Sequence, residues 1–273
     1  MEPSETQFYD THAHLDYPDF SGDLDAVIAR AEAAGVRRMV TVGTDLASSA
    51  RAVALSERYP AVFAAVGWHP NDAEKAPADI RPALRELACH PKVVAIGETG
   101  LDYYHLPGSR DGGSAADDEH HKKCQERLFE QHLEVAAAAD LGCIIHQRSA
   151  LTPVLAQMRP WENRLRAVFH CFGEALPVAE EILRRGWLVS FTGIITFKNA
   201  QSVRDTIAAI PLNRLMLETD CPFLAPVPHR GKRCEPAHVM DTARVVAQVK
   251  RGSLAELGAA TCATARGFFR KLA

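Results

Sequence analysis

The sequence predicts an α/β protein that folds as a single (β/α)8 TIM barrel, and three observations support this fold class. Eight short apolar runs recur along the chain, and a segment with helical spacing follows each of them. Runs such as VVAIGE and LMLETD are apolar on both faces until their last residues, as in a parallel sheet covered by helices. Eight such units in 273 residues match the usual barrel size of about 250 residues. A doubly wound sheet is the alternative.

The apolar runs define the predicted strands, and the segments between them define the predicted helices. The strands are expected at 8–16, 36–44, 62–68, 93–98, 143–146, 166–171, 187–192 and 215–220. The helices, rich in Ala, Leu, Glu and Arg, are expected at 23–34, 47–59, 77–89, 120–141, 151–158, 176–185, 200–209 and 236–250.

Two further segments complete the predicted domain, which spans residues 1–273 without an internal linker. Residues 105–121, HLPGSRDGGSAADDEHH, predict a mobile insert after the fourth strand because Gly, Ser and Asp favour loops. In a barrel this insert would overhang the top face. Residues 253–272 predict one or two extra helices that close the barrel at its bottom or side.

Composition and charge exclude several classes of protein. The 31 Lys and Arg against 34 Asp and Glu give a formal charge of -3, which argues against holding nucleic acid by phosphate neutralisation alone. No apolar run approaches the roughly 18 residues of a membrane span. The seven cysteines include no CxxC pair, which fits a reducing compartment. The polar N-terminal residues do not resemble a signal peptide, so a cytoplasmic protein is expected. The oligomeric state stays open, and a monomer is compatible with the sequence.

Ionisable side chains stand where the predicted strands end. In the first run Asp10, His12, His14 and Asp16 alternate with other residues, so on a strand all four point to one side. Four later apolar runs also stop on an ionisable residue, namely Glu98, His146, His170 and Asp220. The carboxyl ends of barrel strands share one face, where active sites are built. An ordinary polar strand end is the alternative for each residue taken alone.

The four histidines and two carboxylates on this face predict a metal centre. A buried strand that ends on a charge must solvate, pair or coordinate that charge. Imidazole nitrogen and carboxylate oxygen suit Zn, Mn, Co or Mg, and the lack of paired cysteines argues against a purely structural zinc site. Six ligands exceed the need of one catalytic ion, so we expect two divalent ions bridged by Glu98.

The motifs around these residues resemble those of the TatD-type metal-dependent deoxyribonucleases, a branch of the amidohydrolase-like barrel superfamily. The resemblance extends over about residues 8–270, and its motifs are DTHAHLD, GWHP, GETGLDYY, IIHQR, FHCFG, ETDCPFLAP, and RGK followed by EP. It implies one ion on His12, His14, Glu98 and Asp220, and a second ion on Glu98, His146 and His170.

The resemblance also implies an activity, the hydrolysis of DNA phosphodiesters, often as a 3′-to-5′ exonuclease supported by Mg or Mn. We expect two divalent ions, Mg, Mn or Zn, and DNA as the partner, as single strands or strand ends. Asp220 and Glu98 are the predicted catalytic residues, with Asp220 accepting the proton of the attacking water.

Four residues are candidate substrate contacts. His69 follows the third strand and is expected to lie too far round the rim to be a seventh ligand, so it is predicted to contact phosphate or the leaving group; a packed loop histidine is the alternative. Arg148, Arg230 and Lys232 are candidate phosphate clamps, or else solvated or ion-paired surface charges. Six histidines are predicted to face solvent: His90, His105, His120, His121, His132 and His238.

Some positions depart from the family pattern. Glu174 places an acid near the expected phosphate path, Cys234 stands where Asn is usual, and the insert is acidic. Two other functions therefore stay open, an amidase or esterase with the same two ions, and a barrel that acts as a binding partner without catalysis.

Overall fold

A computed structural model describes residues 6–109 and 112–272 of the chain, and within them eight parallel strands form one sheet in sequential order. The strands are β1 (Phe8–Ala13), β2 (Val36–Val42), β3 (Val62–Val66), β4 (Val93–Asp102), β5 (Gly142–Arg148), β6 (Ala167–Phe169), β7 (Leu188–Phe191) and β8 (Leu215–Leu217). The sheet closes where the His14 amide donates to the Cys221 carbonyl at 2.8 Å. The prediction of a single-domain TIM barrel is confirmed.

The helices α1 to α8 follow the strands around the outside of the barrel, and α9 follows α8. They are α1 (Leu24–Ala33), α2 (Leu46–Arg58), α3 (Arg81–Ala88), α4 (Ala115–Ala138), α5 (Leu151–Met158), α6 (Leu176–Arg184), α7 (Gln201–Ala209), α8 (Val239–Lys250) and α9 (Leu254–Phe268). Within the described residues, no helix combines the length and the apolar character needed to cross a bilayer.

The predicted loop at 105–121 is wrong from residue 115 onwards, where α4 begins. Ser114 caps this helix because its hydroxyl accepts from the Asp117 amide, while the Asp117 carboxylate accepts from the Ser114 amide. The acidic residues that suggested a loop therefore lie in the first turn of a helix, where the helix dipole favours negative charge. Arg110 and Asp111 lie outside the described residues.

The barrel interior is filled by alternate strand residues and plugged from below by α9. Inward-facing apolar side chains from several strands pack together, including Val94, Ile144 and Val168. The aromatic rings of Phe268 and Phe269 join the same cluster at the C-terminal end of α9. The lower end of the barrel is therefore closed, and the open end is the one to which the strands point.

Candidate metal centre

A cleft of about 840 Å³ lies at the C-terminal ends of the strands, and the candidate metal ligands meet at its floor. Glu98 is at the centre of this group, and its side chain is only 3% exposed. The strand β4 continues past Glu98 to Asp102, so the expectation that Glu98 ends its strand is wrong. A cleft of this kind at the carboxyl ends of barrel strands is the usual place of an active site.

Two glycines let β4 approach β5 closely at the level of Glu98. Gly97 and Gly100 have φ angles of +140° and +138°, in a region that favours glycine. A Cβ atom at Gly100 would lie 2.0 Å from the His146 carbonyl oxygen, and one at Gly97 would lie 2.8 Å from the Ile144 carbonyl oxygen. The GETG sequence is therefore required to place Glu98 beside His146.

One carboxylate oxygen of Glu98 faces the first strand. Its Oε2 lies 3.4 Å from His12 Nε2 and 3.9 Å from His14 Nε2. Asp220 completes this group, because its Oδ1 lies 3.3 Å from His14 Nε2 and 3.6 Å from His12 Nε2. Asp220 has a left-handed backbone, with a φ angle of +59°, which is uncommon for a residue other than glycine and is often found at functional sites.

The other carboxylate oxygen of Glu98 faces three further histidines. Its Oε1 lies 2.6 Å from His170 Nε2, 2.7 Å from His146 Nδ1 and 3.5 Å from His69 Nε2. The two oxygens of one buried carboxylate thus face different histidines, although His12 and His170 stack at 4.2 Å and can also hold an ion together with Glu98. The structure brings together all six residues that the sequence pointed to as ligands.

The expectation that His69 lies too far round the rim to be a ligand is wrong, because its side chain reaches Glu98. The loop after β3 turns inward, and the His69 amide donates to the Thr44 carbonyl at 3.0 Å. The Asn71 amide donates to His69 Nδ1 at 3.1 Å, which leaves Nε2 directed at Glu98. His69, Glu98 and His146 can hold a metal ion together.

The residues fit a pair of cations. His12 Nε2 and His14 Nε2 face each other at 3.3 Å, and His14 Nδ1 lies 3.0 Å from the Val42 carbonyl. Neutral His14 would therefore donate from Nδ1 and present a lone pair at Nε2. The buried Nδ1 atoms of His12 and His170 have no hydrogen-bond partner among the described residues. Two carboxylates within such a set of nitrogen donors suit borderline or hard divalent ions.

The pKa values of the cluster show strong coupling between the carboxylates and the imidazoles. Burial acts to raise the pKa of Glu98, but the surrounding histidines, with His170 and His69 contributing most, together outweigh burial and hold that pKa well below its usual range. Burial acts to lower the pKa of His170, but Glu98 and Glu218 outweigh it and raise that pKa well above its usual range. An ion bound by these atoms would displace the proton of any ligating imidazole that carries one at the binding nitrogen.

Asp102 is a site residue that the sequence analysis missed. Its Oδ2 lies 3.1 Å from His146 Nε2 and 2.8 Å from His105 Nδ1. Burial acts to raise the pKa of Asp102, but the hydrogen bonds from His146 and His105 outweigh burial and lower it. The signal was present, because Asp102 lies in the GETGLDYY motif at an even spacing from Glu98. A carboxylate behind a ligating histidine fixes the tautomer and orientation of the ring.

Glu218 is a second residue of this kind. Its carboxylate accepts from the Cys171 amide at 2.6 Å and from the Ser190 hydroxyl at 2.7 Å. Its Oε1 also lies 3.7 Å from His170 Nδ1. The ETD sequence gave the signal, since Glu218 precedes Asp220 by two residues. Glu218 therefore lies within ion-pair distance of His170 on the side opposite Glu98, without a direct hydrogen bond to the ring.

Two carboxylates of the first motif do not join the cluster. Asp10 accepts from the amide and the hydroxyl of Thr219 at 2.9 and 2.6 Å, so it ties β1 to the loop after β8. Burial raises the pKa of Asp10 to about 8. Asp16 lies beyond the end of β1 and pairs with Arg51 at 3.0 Å. The alternation therefore directs His12 and His14, but not these two carboxylates, toward Glu98.

The candidate phosphate clamps occupy different places. Arg148 lines the cleft, and its guanidinium lies 4.2 Å from the centre of the Tyr104 ring. Arg230 lies 3.9 Å from the centre of the Phe197 ring and donates to the Ala225 carbonyl. Neither Arg230 nor Lys232 is among the described residues that line the cleft. Their contacts with substrate stay predictions.

Two histidines that were expected to face solvent are buried. His121 is 4% exposed and His132 is fully buried. His132 Nδ1 donates to the Leu128 carbonyl at 2.7 Å, and its Nε2 accepts from the Trp68 amide at 2.9 Å. The signal was the helical spacing of His132 with Leu128 and Val135 on the apolar stripe of α4. His132 therefore supports the loop that carries His69.

The fold and the site together define a metal-dependent hydrolase of the TIM-barrel class. Residues 9–270 match the family model described as TatD related DNase, and the chain belongs to this family.

Two relatives and one solved structure illustrate the similarity. The chain is 38% identical over 263 residues to YabD of Bacillus subtilis (strain 168), an uncharacterized metal-dependent hydrolase, covering 96% of this chain and 98% of that protein. It is 35% identical over 237 residues to the 3′-5′ ssDNA/RNA exonuclease TatD of Enterobacter lignolyticus (strain SCF1), covering 85% and 86%. The crystal structure of YjjV, a TatD homolog from Escherichia coli K12, superposes with a TM-score of 0.87 at 30% identity, covering 97% and 98%.

Proposed function

We propose that this protein is a divalent-metal-dependent nuclease that removes nucleotides from the 3′ end of single-stranded DNA. The observation that carries the proposal is the arrangement around Glu98, whose Oε2 faces His12 and His14 while its Oε1 faces His146 and His170. A bridging carboxylate between two sets of nitrogen ligands suits two ions, and a phosphodiester is an anion that two such ions can hold. The Enterobacter lignolyticus relative, named as an exonuclease on ssDNA and RNA, supports this substrate class.

The ligand assignment follows the two faces of Glu98. His12, His14 and Asp220 would hold one ion with Oε2, and His146 and His170 would hold the other with Oε1. His69 is proposed as an additional ligand on the Oε1 side, since its Nε2 lies 3.5 Å from that oxygen. When bound, two divalent ions supply an activated water molecule and neutralise charge on the phosphodiester.

The remaining chemistry belongs to side chains of the chain itself. Asp220 would accept the proton of the attacking water. Burial acts to raise the pKa of Asp220, but His14 and His12 outweigh it and lower that pKa, so the carboxylate is ionised, as a proton acceptor must be. Arg148 would contact a nonbridging phosphate oxygen from the side of the cleft, where Tyr104 holds its guanidinium.

The formal charge of -3 supports a substrate held at one end rather than along a duplex. Arg230 and Lys232, beside the mouth of the barrel, are proposed to guide the incoming strand. A cytoplasmic location remains part of the proposal, and it is supported by the seven cysteines, all of which are free.

The test compares substrates and one conservative variant. Protein stripped with a chelator is reloaded with Mg, Mn or Zn singly and given single-stranded DNA labelled at its 5′ end, a model carboxylate ester and a model amide. We expect stepwise shortening of the DNA from its 3′ end. D220N should lower kcat by roughly 10²–10⁴-fold, the usual contribution of a general base.

The matched control is D205N, because Asp205 lies on α7 and accepts a hydrogen bond from Gln201 in an exposed pair. D205N should leave kcat unchanged. If the wild-type protein leaves DNA intact with every ion but cleaves the ester or the amide, the proposal is wrong and the protein is an esterase or amidase. If it cleaves none of the three, the binding-partner alternative gains support.

A further inference from the structure

An exposed aromatic side chain stands beside the metal centre and has no part in the chemistry above. Phe223 follows Asp220 by three residues and is 49% exposed. It lines the same cleft as Glu98 and Arg148. Val227 lies in the same loop and is equally exposed, at 49%, but it is not among the described residues that line the cleft. Phe223 is therefore exposed toward the site, whereas Val227 is simply on the surface.

The plane of the Phe223 ring is fixed by its neighbours. The ring centroid lies 5.6 Å from that of Tyr17 at an interplanar angle of 81°, and 6.3 Å from that of His14 at 67°. The Phe223 amide also donates to the Asp220 carbonyl at 3.0 Å. Both ring contacts are edge-to-face rather than parallel, and the 49% exposure leaves ring surface open to a planar ligand.

The position of the ring relative to the proposed ligands suits a nucleotide. His14 lies between the Phe223 ring and Asp220. Its ring centroid is 6.3 Å from that of Phe223, and its Nε2 is 3.3 Å from Asp220 Oδ1. Phe223 thus contacts the ring of one proposed ligand directly, and in a nucleotide the base is attached close to the phosphate. A phosphate held at Glu98 would therefore bring a base into reach of Phe223.

Among the described residues, Phe223 is the exposed large apolar side chain that lines the cleft, whereas Tyr104 and Val227 do not line it. The large apolar side chains exposed among the described residues are Tyr104, Phe223 and Val227. The Tyr104 ring is already faced by the Arg148 guanidinium at 4.2 Å. Because the formal charge is -3, affinity from phosphate contacts alone is limited, and stacking is a source of affinity that needs no positive charge.

We propose that Phe223 forms a base-stacking subsite for the nucleotide next to the scissile phosphate. Stacking requires an exposed base face, which a base inside a duplex does not offer, so the subsite also accounts for preference for single strands. The inference rests on the proposed nuclease function and deepens it, because it assigns recognition of the base to one side chain outside the metal centre.

The test uses pairs of single-stranded oligonucleotides that are identical except that the last two 3′ nucleotides are either normal or abasic. With the wild-type protein and Mg or Mn, we expect KM for the normal strand to be lower by roughly 5- to 100-fold, the range that base stacking supplies. F223A should abolish this preference with little change in kcat, because stacking acts on bound substrate and transition state alike.

Two further variants separate stacking from a folding defect. F223Y keeps a ring and should keep the preference, and V227A, the matched control, should behave as wild type. Binding is read independently with 2-aminopurine at the 3′ end, in D220N to prevent cleavage. Its fluorescence should be quenched on binding, and F223A should remove the quenching.

The outcomes distinguish the two proposals. If the wild-type protein shortens DNA but F223A retains the preference for the normal strand, the stacking subsite is refuted and the nuclease function stands. If the wild-type protein cleaves normal and abasic strands equally well, the subsite is refuted as well. If no nucleic acid is cleaved with any ion, the nuclease function fails and the subsite falls with it.

Discussion

The two ends of the barrel interior are built from the same strands but differ completely in chemistry. Ile144 and Val168 face the lower half of the interior, where they pack in one apolar cluster with Phe268 of α9. Two residues further along the same strands or just beyond them, His146 and His170 face Glu98. A step of two residues keeps a side chain on the same face of a strand.

The comparison shows how one scaffold separates stability from function. The lower end buries apolar side chains, including the aromatic rings of α9 and its C-terminal end, so its contribution is mainly hydrophobic. The upper end buries carboxylates and imidazoles that depend on one another for charge balance. Substitutions at the two ends should therefore have effects of different kinds, and four predictions test this.

The largest effect is expected for E98Q at the upper end. The amide removes the charge that both sets of histidines face, so we expect loss of both ions. The fall in kcat should exceed the roughly 10²–10⁴-fold cost of losing a general base alone. Metal content after dialysis and kcat on single-stranded DNA measure this. E181Q is the control, because Glu181 forms a partly buried ion pair with Arg185 on α6, away from the cleft. An E98Q protein that keeps two ions would contradict the bridging role.

At the lower end, F269A should change stability and leave the chemistry intact. Phe269 is fully buried and contacts the Phe268 ring at a centroid distance of 4.7 Å. Truncation of such a ring costs about 3–5 kcal/mol in the free energy of unfolding. Urea unfolding of the metal-free protein measures the loss, and kcat per folded molecule should stay at the wild-type value. A large fall in kcat without a loss of stability would show that the two ends are not separate.

D102N tests a residue that orients a proposed metal ligand and is not itself a proposed ligand. An amide nitrogen in place of Oδ2 could not accept the hydrogen bonds of His146 and His105, so His146 would lose its fixed orientation. We expect metal affinity to fall by roughly 10–100-fold, or about 1.4–2.7 kcal/mol. Competition titration with a chromophoric chelator measures the affinity. Unchanged affinity would mean that Asp102 acts on substrate and not on the metal centre.

His132 provides a pH test, because burial lowers its pKa from 6.5 to about 4. In the unfolded chain His132 is protonated near pH 6.5, whereas in the folded protein it is protonated only near pH 4. The free energy of unfolding therefore decreases as the pH falls from about 6.5 to about 4. Between pH 7 and pH 5 the loss should be about 2 kcal/mol. H132Q lacks the titrating ring and should show a shallower dependence in urea unfolding. Equal pH slopes for the two proteins would refute the assignment.

Sequence periodicity could predict the barrel and the six proposed ligands because both depend on where the apolar runs of the sequence stop, although β4 and β5 continue beyond Glu98 and His146. His12, His146 and His170 each follow an apolar or alternating run, and the barrel places such ends on one face. The position of His69 could not be predicted in this way. It depends on the path of a loop, which a hydrogen bond to Thr44 turns inward.

The roles of Asp102 and His132 could not be predicted for a different reason. Asp102 follows Glu98 on a strand that continues through a change of register between Ile96 and Thr99, and an apolar pattern does not show such a change. A place in a helix outside the strands predicts that His132 faces solvent, but His132 lies on the apolar stripe of α4 and is buried. Polar residues in such a stripe are buried when the fold supplies both hydrogen-bond partners.

The central claim is that the upper end of the barrel holds two divalent ions that make it a nuclease. Its most direct test is a titration of chelator-stripped protein with Mn, in which bound metal and the cleavage rate of single-stranded DNA are followed together. The account predicts no cleavage without metal, and full activity when two ions are bound per chain. Cleavage that persists in the stripped protein, or that is complete with one ion bound, would contradict it.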